Sequence, residues 1–273
     1  MVPAEGDDGS AGMALPAAIM RRGRDGGNRP PGADSASRLQ LRRRRRCLRS
    51  PAMRLLYHFC LQPFSREVRV VLREKALDFT LRDERPGRVG EDLLALHPAG
   101  DLPVLVEPDG LALADSRAIC EFLQETAPMP DLLGATPAQR AETRRLLGWF
   151  DAKFHREVTA NLLDQKILRR FAGQGPDSAA IRAGHANIGQ HLDYIAWLTD
   201  RRTWLAGDHF SFADIAAACH LSALDYLGDV PWERHREAKD WYARIKSRPS
   251  FRPLLADQLA GVQPPAHYAD LDF

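Results

Sequence analysis

Apolar and polar positions fall into three regimes along the 273 residues. Residues 1–52 show no apolar period and end soon after an arginine run at 42–46. From Met53 the pattern becomes short and strand-like. "RLLYHF" (54–59) reads as a strand. Phe64, Val68, Val71 and Leu72 then recur at helical spacing, which leaves Arg66, Arg69 and Arg73 for the outer surface. "LDFTLRD" (77–83) alternates like a strand, and "EDLLALHP" (91–98) reads as a short helix stopped by Pro98. "LPVLVE" (102–107) and "LALA" (111–114) flank an Asp109-Gly110 turn and make a hairpin. Asp115 and Ser116 offer cap-type side chains to the helix "RAICEFLQE". The order βαβαββα predicts a small mixed sheet covered by helices.

Beyond Pro128 and Pro130 the pattern is helical throughout. One helix is expected over 137–171, with Leu146, Leu147, Phe150, Phe154, Val158, Leu162, Ile167 and Phe171 as its apolar positions. Another is expected over 177–198. "FSFADIAAACHLSALDYL" opens with Ser211 and Asp214 at capping-box spacing, with Phe210 as the hydrophobic staple. "AKDWYARIKSRPSF" is a last amphipathic helix, stopped by Pro249. The expected architecture is an α/β half followed by an all-helical half.

Charge separates the first regime from the rest. Residues 1–52 hold 11 basic and 5 acidic residues, a charge of +6, leaving 27 against 31, or −4, beyond. This composition predicts a disordered basic extension, since it buries too little apolar area to offset its ordering entropy. The arginine run reads either as a patch for nucleic acid or an acidic surface, or as sequence lying upstream of a true start at Met53. No nucleic-acid partner is expected, because the basic excess belongs to the extension alone. No apolar run is long enough to span a bilayer, and the acidic residues ahead of Met13 do not suit a signal peptide. Cysteines at 47, 60, 120 and 219 lack metal-knuckle spacing and read as free thiols of a cytoplasmic protein.

"QPFSREVRVVLREKAL", "GDLPVLVE", "LADSRAICEFL", "FSFADIAAA" and "RIKSRPSF", in that order, resemble the successive signatures of the glutathione S-transferase superfamily. The resemblance implies a thioredoxin-like domain over 53–132, an all-helical domain over 137–256 and a tail over 257–273. It implies that Pro103 follows a cis peptide bond and that Leu102 pairs its backbone with the cysteinyl part of glutathione. Asp115 and Ser116 match the pair that binds the γ-glutamyl end, where free N–H groups at a helix start hold a carboxylate. Ser116 is equally well read as a plain helix cap.

Enzymes of this superfamily place a Tyr, Ser or Cys just before the first helix to stabilise the glutathione thiolate. Aligned on Pro63 and Phe64, that position is Gln62, which is no nucleophile and has no titratable group. Two neighbours are candidates to replace it. Ser65 lies one turn on and reads also as a cap; Cys60 lies two residues upstream and reads also as an inert buried thiol.

"LYHFCLQPFSREVRVVLREK", "GWFDAKFHREVTANLLDQKILRRF" and "PPAHYADLDF" resemble, within the superfamily, a cell-division subgroup that binds the tubulin-like protein FtsZ. That likeness implies a homodimeric, non-catalytic filament regulator at the division site, for which glutathione is not a required cofactor; a glutathione-dependent transferase is the alternative. Lys153, His155, Arg156, Lys166, Arg169 and Arg170 read as a basic face able to meet an acidic filament, or as an ordinary solvated face. In the tail, Tyr268, Leu271 and Phe273 read as docking anchors, against the chain's own domain or on a partner, or as a frayed terminus. His155 and His185 are expected to face solvent, and no metal site is expected.

Overall fold

The structure, a computed structural model, describes residues 53–271; the extension 1–52, Asp272 and Phe273 lie outside them. Strand β1 (Arg54–His58) is central in a sheet of order β2-β1-β3-β4. It runs parallel to β2 (Phe79–Asp83), with Leu56 opposite Leu81, and antiparallel to β3 (Val104–Val106), with Leu56 opposite Leu105. β3 pairs with β4 (Ala112–Ala114) across a turn closed by Asp109, whose Oδ1 accepts from Leu111 N–H at 2.9 Å. The hairpin is shorter than its apolar run, because Leu102 and Pro103 lead into it through a cis peptide bond. A second cis bond joins Met129 to Pro130.

Helix α1 (Pro63–Glu74) starts with Pro63, whose missing N–H costs nothing at that position. Arg66 and Arg69, expected outside, are buried. The reason is that α1 is covered twice, by the sheet and by a helix of the second half, so even its polar side must find partners. Arg66 donates to Cys60 O (2.6 Å), Ser222 Oγ (2.6 Å) and Tyr268 Oη (3.1 Å). Arg69 forks onto both oxygens of Asp257, at 2.7 and 2.8 Å. Only Arg73 of the three is exposed. Helix α2 (Glu91–Leu96) is short, and α3 (Ser116–Thr126) is capped by Asp115, whose Oδ1 accepts from Ala118 N–H at 3.0 Å.

Helix α4 (Pro137–Gly148) begins with a reciprocal box. Gln139 N–H donates to Thr136 Oγ1, and Thr136 N–H donates to Gln139 Oε1. It continues into a stretch of π-type hydrogen bonding (Trp149–Leu168) and a last α turn (Arg169–Phe171). At its end Arg169 N–H reaches back five residues to Asp164 O. The wider ladder suits the sequence: Phe150, Phe154, Val158, Leu162 and Ile167, all buried, recur every four or five positions. Helix α5 (Ser178–Thr199) packs on it so closely that a Cβ at Gly184 would lie 2.7 Å from Leu162 Cγ.

Helix α6 (Phe212–Tyr226) is buried along its whole length. Its alanines at 213, 216, 217, 218 and 223 let the surrounding elements approach, and it is the element that covers the outer side of α1. Asp214 organises its start. The carboxylate accepts from Ser211 N–H, Ser211 Oγ–H, Leu205 N–H and Trp241 Nε1–H, at 2.9 to 3.1 Å. Helix α7 (Arg236–Lys246) supplies that tryptophan. The tail then returns to the core. Its one-turn segment Ala266–Tyr268 puts Tyr268 at 0% exposure, where its hydroxyl donates to Leu254 O. Tyr268 is therefore no surface anchor, and the tail is not frayed there. Among the described residues no helix is long and apolar enough to cross a membrane.

Candidate functional site

Two concave surfaces flank the start of α1. The first is a cleft of about 700 Å³ lined by Gln62, Phe64, Leu102, Ser116, Arg117 and Asp151, with His97 and Asp115 at its rim. The hairpin brings Leu102, the start of α3 brings Ser116, and the long helix closes the side with Asp151. Three of the four residues expected at the glutathione-like position, Leu102, Asp115 and Ser116, line this cleft, and the fourth, Pro103, follows Leu102 through the expected cis bond. Asp115 has φ of 75° with ψ of 123°, outside the αL well and strained for any residue but glycine. Its carboxylate is already engaged as the cap of α3.

The position that should activate a thiol holds an amide. Gln62 lines the cleft, and its Oε1 accepts a hydrogen bond from Ser65 Oγ–H at 2.8 Å. Ser65 is fully buried, also accepts from Phe59 N–H at 3.3 Å, and does not line the cleft. It tightens the turn into α1. Cys60 faces the second surface instead, and burial pushes its thiol above the ordinary value. Neither candidate lines the cleft.

The second surface is a groove of about 620 Å³ lined by His58, Cys60, Leu81, Arg85, Phe171 and the segment around Asp257. The last turn of the long helix forms one wall. Phe171 meets Phe59 edge-on at 5.7 Å and lies under the Arg85 guanidinium at 4.1 Å. Arg85 lines the groove and is exposed; Arg88, bridged to Arg85 across a turn, and Arg170, the residue before Phe171, are exposed too. Leu81, 41% exposed, adds an apolar spot to the same surface.

The basic face expected on the long helix is largely neutralised. Lys153 and Arg156 pair with Glu157, and Lys166 pairs with Asp229. Arg169 Nε donates to Gly175 O at 2.8 Å, and Arg170 is exposed. Leu271 is half-buried. Arg85 and Arg88 went unread in the sequence because they sit in a charged turn, "RDERPGRVG", that carries no period. His185 is exposed as expected, but His155 is not: its ring packs against Phe64 (5.1 Å) and His220 (5.7 Å). Burial first, and the neighbouring His220 second, lower its pKa to about 4.

Comparison with known proteins places this geometry. The profile of the glutathione S-transferase N-terminal domain matches residues 56–131, and that of the C-terminal domain matches 189–249. FtsZ-localized protein A of Caulobacter vibrioides is 50% identical over 81% of this chain and 98% of its own length. Among solved structures, a glutathione S-transferase from Rhodospirillum rubrum superposes with a TM-score of 0.79 at 58% identity, covering 81% of this chain and all of that one. FzlA from C. crescentus superposes with a TM-score of 0.78 at 49% identity, over the same shares.

Proposed function

The chain belongs to the glutathione S-transferase superfamily, and on that premise we propose that it is a non-catalytic regulator of cell division that binds FtsZ filaments through the transferase scaffold. The observation that carries this reading is Gln62. It occupies the thiol-activating position and is held there by Ser65, while Cys60 opens into the other groove with its thiol pushed up. A fold hosts many functions, so only the site can decide, and here the site keeps a frame without a nucleophile. The 50% identical relative carries FtsZ in its name, which supports the same partner for this chain.

The contact surface in this proposal is the groove lined by Arg85, Phe171 and Leu81, extended by the exposed Arg88 and Arg170 next to them along the chain. Exposed arginines beside an aromatic ring suit an acidic partner, since they combine steering with a desolvated anchor. A homodimer in the cytoplasm, positioned at the division site, is part of the same proposal. Labelled protein titrated with assembled FtsZ filaments tests it: a saturable rise in fluorescence anisotropy is expected, and none would remove the proposal.

A second reading, a glutathione-dependent transferase, is favoured by one feature. The cleft retains the cis Leu102-Pro103 bond and Ser116, and a 58% identical relative is named a transferase. Glutathione at millimolar concentration must raise the melting temperature if it binds the folded state. An unchanged melting temperature removes this second reading.

A further inference from the structure

Beneath the cleft, three helices bring together donors that no sequence motif announced. Glu67 comes from α1, Asp151 from the long helix and His220 from α6. One ligand atom from each lies within 4.8 Å of the other two, and His220 Nε2 is 3.8 Å from Asp151 Oδ1. The three side chains are almost wholly removed from water. Glu67 Oε1, Asp151 Oδ1 and His220 Nε2 are each buried without a hydrogen-bond partner. Leaving one such atom unsatisfied costs about 1–3 kcal/mol, so three converging on one point need a common explanation.

We propose that Glu67, Asp151 and His220 form a binding site for one divalent transition-metal ion, zinc by its ligand chemistry, that joins the two halves of the fold. Two carboxylates and an imidazole are a mixed oxygen and nitrogen set, which suits zinc better than the all-oxygen preference of magnesium or calcium. Donors at about 2.0–2.2 Å around a tetrahedral zinc stand roughly 3.3–3.6 Å apart, so gaps of up to 4.8 Å close with side-chain shifts of about an ångström. The charges balance, because two carboxylates meet a dication in a place where an unpaired anion is costly.

The surroundings fit such a role. Thr159 Oγ1 lies 2.8 Å from His220 Nδ1. When Nδ1 carries the proton and donates it to that hydroxyl, Nε2 keeps its lone pair for the ion. Asp151 also lines the cleft, which gives an ion its way in, and its Oδ2 lies 3.5 Å from Arg117 Nη2. His155, whose Nδ1 is buried and unpartnered too, is the nearest further donor; its ring is 5.7 Å from that of His220. Water or His155 would complete the coordination.

The alternative occupant of the gap between the carboxylates is a proton, and Glu67→Gln separates the two, since it imitates the protonated acid. The full chain is treated with chelator, titrated with zinc chloride, and followed by elemental analysis and thermal melting. Wild type should retain about one equivalent after desalting and melt several degrees higher with zinc. Glu67→Gln and Asp151→Asn, checked for unchanged helical content, should each weaken retention about 100-fold or more, whereas His185→Gln on the surface should not. Cobalt chloride should give visible absorption bands in wild type that both variants lose. Wild type that retains no zinc, or a Glu67→Gln protein that retains it equally, overturns the proposal. A Glu67→Gln protein that melts like wild type with zinc absent from both assigns the gap to a proton and overturns it as well.

Discussion

Arg66 Nη1 donates a hydrogen bond to the phenol oxygen of Tyr268 across 3.1 Å, and neither side chain touches solvent. The bond ties the first helix of the sheet-containing half to the penultimate described turns of the chain. Tyr268 in turn donates to Leu254 O and meets Tyr226 edge-on at 5.1 Å. Tyr268→Ala should therefore cost about 3–5 kcal/mol, by the cavity and by the lost hydrogen bonds to Arg66 and Leu254, and lower the melting temperature by roughly 10 °C. Deleting residues 266–273 should do at least as much. Tyr268→Phe, which keeps the ring, should cost only about 1–2 kcal/mol in urea unfolding.

His58 gives the fold an acid sensitivity. Burial, and then the Arg69 guanidinium, lower its pKa from 6.5 to about 4, with Asp83 opposing at 3.0 Å. The unfolded chain takes up a proton below about pH 6.5, while the folded chain resists until about pH 4. Protons therefore favour unfolding in that window, and stability falls as pH falls through it. The loss attributable to His58 is on the order of 2–3 kcal/mol. Urea midpoints measured from pH 7 to 4 should drop less steeply for His58→Gln than for wild type.

Gly184 is a close-approach glycine. A methyl group there would lie 2.7 Å from Leu162 Cγ, where α5 crosses the π-type stretch. Gly184→Ala gains helix propensity of up to about 1 kcal/mol but meets overpacking of about 1–3 kcal/mol. A net loss of melting temperature of a few degrees is expected. A gain would mean that the long helix yields at Leu162.

How much of this was legible in the sequence depends on what surrounds each element. The strands, α1 and the capped starts at Asp115 and Ser211 were readable because period and cap chemistry are local. The burial of Arg66 and Arg69 was not, because spacing shows which side of a helix is apolar but not that a second layer covers the polar side. Tyr268 was misread for a related reason: its segment has no period, and its burial comes from a pocket built by Arg66, Ser222 and Leu254, far away in sequence. The apolar positions from Phe150 to Ile167 read as one ordinary helix over 137–171, because spacing alone does not separate the wider ladder from an α-helix. The cleft residues were found through family signatures, whereas Glu67, Asp151 and His220 share no local pattern at all.

Gln62 sets the expectation for catalysis. With its Oε1 engaged by Ser65 and no hydroxyl or thiol at that position, conjugation of glutathione to an electrophilic chloronitrobenzene should run near the uncatalysed rate. A robust rate that Ser65→Ala or Cys60→Ala abolishes would contradict the non-catalytic assignment.

The central claim is that this transferase scaffold binds FtsZ through its arginine-bearing groove, and co-sedimentation with FtsZ filaments tests it most directly. Wild type should pellet with filaments at about 50 mM salt and progressively less by about 300 mM, because exposed charges are screened over that range. Arg85→Glu, Arg88→Glu and Arg170→Glu combined should release the protein to the supernatant with helical content unchanged. Protein that stays in the supernatant whether or not filaments are present contradicts the claim, and so does a triple variant that pellets as wild type does.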